Sequence, residues 1–297
     1  MTLVVHIGYH KTGTTALQNW LVKNRKFLRE RDIIFPKGMS SWPGHPELAW
    51  ICAGNQYPWQ DRFYNPAETA AYYTPVLEAS LDPETLTILS SEEFSRLDFS
   101  FDMMNRLHDW LSPYKPFIIG YFRDPLDFLM SRYRHEVQEG GERRPIREYL
   151  SSVDNILSAN FFSRTLVWSE CFQGRCILRN YSDPTVSSDL LRSFLIALDV
   201  DLTKFPADLL DSGLSETEVK LHPTLIDSIR FIHGFDESEQ KMSFYSSIYD
   251  LSERLPPMPM KQFLQQIGLP EETIRLLDSL NYDRIDTKIT IQPCSNK

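Results

Sequence analysis

An α/β fold with a central parallel sheet is predicted by three observations. Four short apolar runs, "LVVHI" (3–7), "TLTILS" (85–90), "PFIIGYF" (116–122) and "RCILRNY" (175–181), have the length and composition of buried strands. Segments with helical periodicity lie between them, as when parallel strands are joined by helices that cover the sheet. After about residue 190 the apolar runs almost stop, and amphipathic stretches such as "SETEVKLHPTLIDSIRFIHG" follow, with Pro-rich "RLPPMPM" (254–260) as a connector. The expected organisation is a core over 1–205, containing an aromatic-rich insertion at 42–80, and a helical extension over 206–297 that packs on it.

Composition narrows the function before any motif does. The chain has 297 residues, 42% apolar and 24% charged, which is ordinary globular usage. Against 31 Lys and Arg stand 40 Asp and Glu, a net charge of −9, so no long-range field gathers nucleic acid and an anionic ligand must be held by local groups. The opening "MTLVVHIG" reads as a strand and lacks the charged and apolar regions of a signal peptide. No apolar run reaches the roughly 18 residues of a membrane span. The four cysteines, Cys52, Cys171, Cys176 and Cys294, form no C-x-x-C pair and are expected to be reduced thiols of a cytoplasmic protein.

The first strand runs into "HIGYHKTGTT" (6–15), where Gly8 and Gly13 have the spacing of a phosphate-binding loop, G-x-x-x-x-G-K-[ST]. Position 14 is threonine where that loop has lysine, and Lys11 lies inside the loop instead. Strand, glycine loop and helix in that order bring free backbone N–H groups and the positive helix end to one point. Lys11, Thr12, Gly13, Thr14 and Thr15 are therefore candidate phosphate ligands. A triphosphate kinase is disfavoured by the residue at position 14 and by the lack of a clear Mg²⁺-holding aspartate after a second strand. The first helix is expected from Thr14, with Leu17, Trp20, Leu21, Phe27 and Leu28 on its buried stripe.

"YFRDPLDFLMSRYRHEV" carries a second constellation. Arg123 ends a strand, Asp124 suits an N-cap, Pro125 suits the first helical turn, and Leu126, Leu129, Met130, Tyr133 and Val137 form an apolar face. Ser131 lies eight residues after Arg123. A guanidinium and a hydroxyl are a suitable pair of donors for a further phosphate.

Together these segments resemble the signature of the sulfotransferases that use 3′-phosphoadenosine-5′-phosphosulfate (PAPS), and are similar to the openings of bacterial members of that family. The resemblance implies a P-loop, three-layer α/β/α core in which "KTGTT" holds the 5′-phosphosulfate and Arg123 with Ser131 the 3′-phosphate. "RNYSDP" (179–184) is similar to the family strand that ends near the adenine, which implies that role for Tyr181. "DLLRSFLIALDVDL" (189–202) resembles the helix that follows. The implied reaction transfers SO₃ from PAPS to a hydroxyl or amine and releases adenosine 3′,5′-bisphosphate without a metal. Lys11 then sits beside the bridging oxygen, where negative charge develops.

The acceptor must lose a proton, so a carboxylate or histidine has to stand near it. Glu92 follows the end of a predicted strand, where ligands meet parallel sheets. His45, in "SSWPGHPELAW", lies in a Pro/Gly loop and resembles a segment of the bacterial relatives. Both are candidate bases, with Glu92 ranked first. Trp42, Trp50, Tyr57, Trp59, Phe63, Tyr64, Tyr72 and Tyr73 offer faces on which a sugar could stack, and suggest a carbohydrate, glycolipid or small hydroxylated metabolite as acceptor. His6 is expected to be buried in its strand, His135, His222 and His233 to be surface or packing residues, and His10 to shape the loop. A small-molecule or sugar kinase, and a non-catalytic nucleotide-binding protein, are the alternatives.

Overall fold

The computed structural model describes residues 2–9, 12–54, 65–138, 142, 144–210, 264 and 268–280. Lys11, His10, Tyr57, Trp59, Phe63, Tyr64, His222, His233, Cys294 and the expected helix and Pro-rich connector of the C-terminal third lie outside these residues. The described residues fall into two compact units, one formed by residues up to 123 and 162–210, the other by 124–161, 264 and 268–280.

The first unit holds five strands, β1 (Leu3–Gly8), β2 (Ile33–Ile34), β3 (Leu86–Ser91), β4 (Phe117–Phe122) and β5 (Cys176–Asn180). They form one sheet in the order β2-β3-β1-β4-β5, and every pairing is parallel. Four of these are the expected apolar runs. Two-residue β2 is too short to show a period, and it is fixed by pairing Ile33 with Leu86 and Ile34 with Thr87. Burial is continuous along β1 and nearly so along β3 and β4, as a sheet covered on both faces requires. Val4, Ile88, Ile119 and Tyr121 join one core cluster with Leu17, Trp20, Leu21, Leu190, Phe194 and Leu195, while Leu3, Val5, Ile7, Leu89 and Ile118 are also fully buried.

β1 sits mid-sheet, and the chain leaves it to one side and later returns to the other. Carboxyl ends of parallel strands around such a switch point are where α/β folds bind ligands. The register brings those ends level: Ile7 pairs with Ser91, Gly8 with Tyr121, and Phe122 with Asn180.

The helix after β1 is shorter than the apolar stripe predicts. α1 (Thr14–Lys23) buries Leu17, Gln18, Trp20 and Leu21, and the chain then turns at Asn24, whose Nδ2 donates to the Trp20 carbonyl at 2.8 Å. The Trp20 carbonyl accepts from the Asn24 backbone N–H as well, at 3.1 Å, and Asn24 itself leaves helical geometry with φ −106° and ψ 15°. Phe27 and Leu28 consequently belong to a separate helix, α2 (Arg25–Arg29). Three further helices follow: α3 (Pro46–Ala53), α4 (Pro66–Ala79) and α5 (Phe101–Leu111). A 3₁₀ turn, Glu93–Phe99, leads from β3 to α5.

In the second unit, α6 (Pro125–Gln138) starts as expected: Asp124 Oδ1 accepts from the N–H groups of Leu126 at 3.0 Å and Asp127 at 3.1 Å. Leu129, Met130, Tyr133 and Val137 are buried, and Leu126 is half-buried. Ser131 is buried on the same helix. The Tyr133 ring packs against Tyr149 at 5.0 Å between centroids, and the helix Glu271–Ser279 packs on α6. Among the described residues no helix is long and apolar enough to cross a membrane.

Gly8 shows how tightly β1 is joined to α1. A Cβ there would stand 2.3 Å from Thr14 Oγ1 and 2.4 Å from its Cγ2, and a β-branched side chain in a helix has little rotamer freedom with which to retreat. Gly8→Ala should therefore cost roughly 1–3 kcal/mol in urea unfolding. The double variant Gly8→Ala/Thr14→Ala should recover part of that loss, and strictly additive losses would show that the contact is not the cause.

Candidate active site

Of the loop between β1 and α1 the structure describes Tyr9, Thr12 and Gly13. Gly13 is left-handed (φ 74°, ψ 14°), and its carbonyl accepts from Leu17 N–H at 3.0 Å, the first bond of α1. No described side chain caps α1, and its first turn has no acidic residue. Its leading N–H groups thus remain available to an anion, and no carboxylate in that turn repels one. Thr12 is buried with its hydroxyl donating to the Tyr9 carbonyl at 2.6 Å, so it closes the loop on itself. Thr14 is buried over Gly8, whereas Thr15 is exposed. Of the three hydroxyls that the sequence assigned to phosphate, Thr15 has the open position.

Tyr181 follows β5, where its N–H donates to the Phe122 carbonyl, and it is half-buried. A Cβ on Gly13 would lie 3.5 Å from Tyr181 Cε2 and only 2.6 Å from Leu190 Cδ2. Glycine at 13 is thus required twice, by its φ and by the two side chains that close over it. The structure brings Tyr181 to the loop. Arg123 stands half-exposed after the end of β4, and Ser131 lies in α6 of the other unit.

Glu92 and Thr15 meet at one cleft. Its volume is about 100 Å³, and it is lined by Thr15, Gln18, Trp42, Glu92 and Glu93 among others. Trp42 is 67% exposed, an unusual position for an indole in a folded chain and one suited to stacking. Of the other described aromatics in this stretch, Tyr73 is buried with its hydroxyl on Glu47 Oε1, and Tyr72 donates to the Lys37 carbonyl at 2.9 Å.

His45 is placed differently from Glu92. Its ring is fully buried, with Nδ1 accepting the Ser90 N–H at 3.0 Å and Nε2 3.0 Å from the Pro36 carbonyl. Those bonds fix the tautomer that carries hydrogen on Nε2, and neither ring nitrogen is left for a substrate. Burial lowers its pKa to about 4, so the ring is neutral. Its backbone N–H also donates to the Ser90 carbonyl at 2.8 Å, which makes His45 a clamp between its loop and β3.

Ser90 is the centre of that clamp, and the sequence reading missed it. Its Oγ accepts from Gln18 Nε2 at 3.0 Å and lies 2.8 Å from His6 Nδ1. One serine therefore ties β3 to β1, to α1 and to the loop before α3. His6 is buried as expected, edge-on to Tyr121 and Phe194, and burial lowers its pKa to about 4 although the Glu92 charge opposes the shift. The visible signals were Ser90 and Ser91 ending an apolar strand and Gln18 on an apolar stripe.

No family model and no curated protein matches the chain. Among solved structures, the chain is similar to a sulfotransferase from Alicyclobacillus acidocaldarius, at 15% identity and a TM-score of 0.49 over 80% of this chain and 98% of that one. It is also similar to the sulfotransferase domain from the curacin biosynthetic pathway, at 14% identity and a TM-score of 0.42 over 94% of this chain and 98% of that one.

The two buried histidines make a pH prediction. Their folded pKa values of about 4 lie below the ordinary 6.5, so between these limits the unfolded chain binds more protons than the folded one. Stability should be full above pH 6.5, fall on acidification by about 1.4 kcal/mol per pH unit for each ring, and level off below about 4. Urea unfolding between pH 6.5 and 5 should show this slope, and His45→Gln should roughly halve it. A wild-type protein whose stability is flat in that window would contradict the assignment.

Proposed function

We propose that this chain is a sulfotransferase that moves the sulfuryl group of PAPS to a hydroxyl or amine by metal-independent in-line transfer. The observation that carries the reading is the uncapped start of α1, reached through a loop whose only lysine is internal, beside a cleft shared by Thr15 and Glu92. The residues suit a phosphosulfate: free N–H groups point where an anion would lie, no acidic side chain stands in the first turn, and a half-buried Tyr181 ring lies against Gly13.

PAPS, when bound, supplies an activated S–O bond whose electron pair stays with the 5′-phosphate as it breaks. The leading N–H groups of α1 and the Thr15 hydroxyl would hold that phosphate, and the sequence resemblance assigns Lys11 to the charge that would grow on the bridging oxygen. Glu92 takes the proton from the acceptor as the new bond to sulfur forms. Tyr181 flanks the adenine. Arg123 reads the 3′-phosphate, with Ser131 assigned to the same group by the sequence resemblance. Trp42 offers its face to the acceptor, which we infer to be a carbohydrate, glycolipid or small hydroxylated metabolite. His45 positions the loop before α3. Cys52, Cys171 and Cys176 are free of disulfides among the described residues, which is compatible with the cytoplasmic setting we infer.

The test is transfer of label from ³⁵S-PAPS to a small-molecule extract, with variants. Lys11→Ala and Glu92→Gln should each lower turnover by about 10²-fold or more, while Glu92→Gln keeps its affinity for adenosine 3′,5′-bisphosphate. Arg123→Ala should weaken that bisphosphate by roughly 1.5–3 kcal/mol, as for loss of a charge-assisted contact. Wild-type protein that transfers no label, or a Glu92→Gln variant at full rate, would refute the mechanism.

A further inference from the structure

Beneath the loop lies a buried ion pair that none of these roles uses. Asp98, in the 3₁₀ turn after β3, is buried with Arg164, and Arg164 Nε donates to its Oδ1 at 3.0 Å. Asp98 Oδ2 accepts from the Tyr9 hydroxyl at 3.1 Å and from Trp168 Nε1 at 3.0 Å. The Arg164 guanidinium lies 4.5 Å from the Tyr9 ring centroid, and its NH2 donates to the Ser95 carbonyl. Arg164 and Trp168 are four residues apart on α7 (Phe161–Cys171), which brings both to one face.

Two arms of this network end on parts of the candidate site. Tyr9 is the last residue before the loop: its hydroxyl is held by Asp98, and its carbonyl receives the Thr12 hydroxyl. Ser95 is bound to the other part, because its N–H donates to the Glu92 carbonyl at 3.0 Å and its Oγ donates to the same carbonyl at 2.8 Å. One buried carboxylate and one guanidinium thus fix both the segment that would bind the leaving phosphate and the segment that carries Glu92.

We propose that Asp98 and Arg164 are positioning residues, which set the phosphate loop and Glu92 in register through Tyr9 and Ser95. What they position rests on the sulfotransferase reading; that they brace the loop does not. A buried ion pair is costly to desolvate and is a poor means of adding stability, but it punishes any arrangement in which one partner is left alone. Here the satisfied arrangement requires Tyr9, the 3₁₀ turn and α7 to meet in one way.

The test compares wild type with Tyr9→Phe, which removes one hydroxyl and leaves the ion pair intact, and with Asp98→Asn. In the ligand-free protein, Tyr9→Phe should speed amide exchange at Leu17, whose N–H is bonded to the Gly13 carbonyl, by about tenfold while residues 4–7 of β1 stay as protected as before. The Trp168 indole N–H resonance should move in both variants, since both change the carboxylate it donates to. Bisphosphate affinity should fall about fivefold or more in Tyr9→Phe. Asp98→Asn should also release residues 92–95, and if it fails to fold, Tyr9→Phe decides alone. Unchanged exchange at Leu17, or an equal rise at 4–7, would overturn the proposal. Exchange that responds as expected in a protein that binds no bisphosphate would uphold the bracing and refute the ligand.

Discussion

The start of α1 is the constraint on which the rest depends. A helix leaves its first N–H groups without internal partners, and proteins commonly satisfy one with a Ser, Thr, Asp or Asn side chain. Here the cap position is a left-handed glycine with no side chain, Thr12 spends its hydroxyl on the Tyr9 carbonyl, and Thr14 is turned inward over Gly8. Neither of the two threonines that flank the cap position is spent on the helix start. The fully buried β1 aims this end of the helix at the edge of the sheet where the other strands also finish.

The surroundings keep that arrangement rigid by two separate means. On one side Ser90 draws together β3, α1, β1 and the loop before α3, using hydroxyl, N–H and carbonyl at once. Gly44 is needed there, because a Cβ would lie 2.6 Å from both Gln18 Nε2 and the Ser90 carbonyl. On the other side the Asp98–Arg164 pair receives Tyr9 and Trp168. Catalysis of group transfer depends more on such prearranged groups than on covalent participation of the protein, so rigidity around a leaving-group site has chemical value.

The four long strands, the α6 cap and the loop were legible in the sequence because each rests on a local signal: an apolar run, Asp before Pro, glycines at a fixed interval. The break at Asn24 and the short β2 were not, since one rests on the backbone of a single residue and the other only on a partner strand. The candidate site was legible where the loop and strand ends define it. The contrast between Glu92 and His45 was not, because a loop histidine beside Pro and Gly looks exposed in sequence, and only the pairing of its loop with Ser90 buries it. Asp98, Arg164 and Trp168 were silent for the same reason: three segments far apart in the chain meet at one carboxylate.

The central claim is that the loop and its surroundings are built for a nucleotide with a 5′-phosphosulfate and a 3′-phosphate. Calorimetric titration in EDTA with adenosine 3′,5′-bisphosphate, and separately with ATP, tests it most directly. Binding of the bisphosphate that needs no metal and clearly exceeds that of ATP is the expected result. Tighter binding of ATP, appearing only when Mg²⁺ is restored, would contradict the assignment.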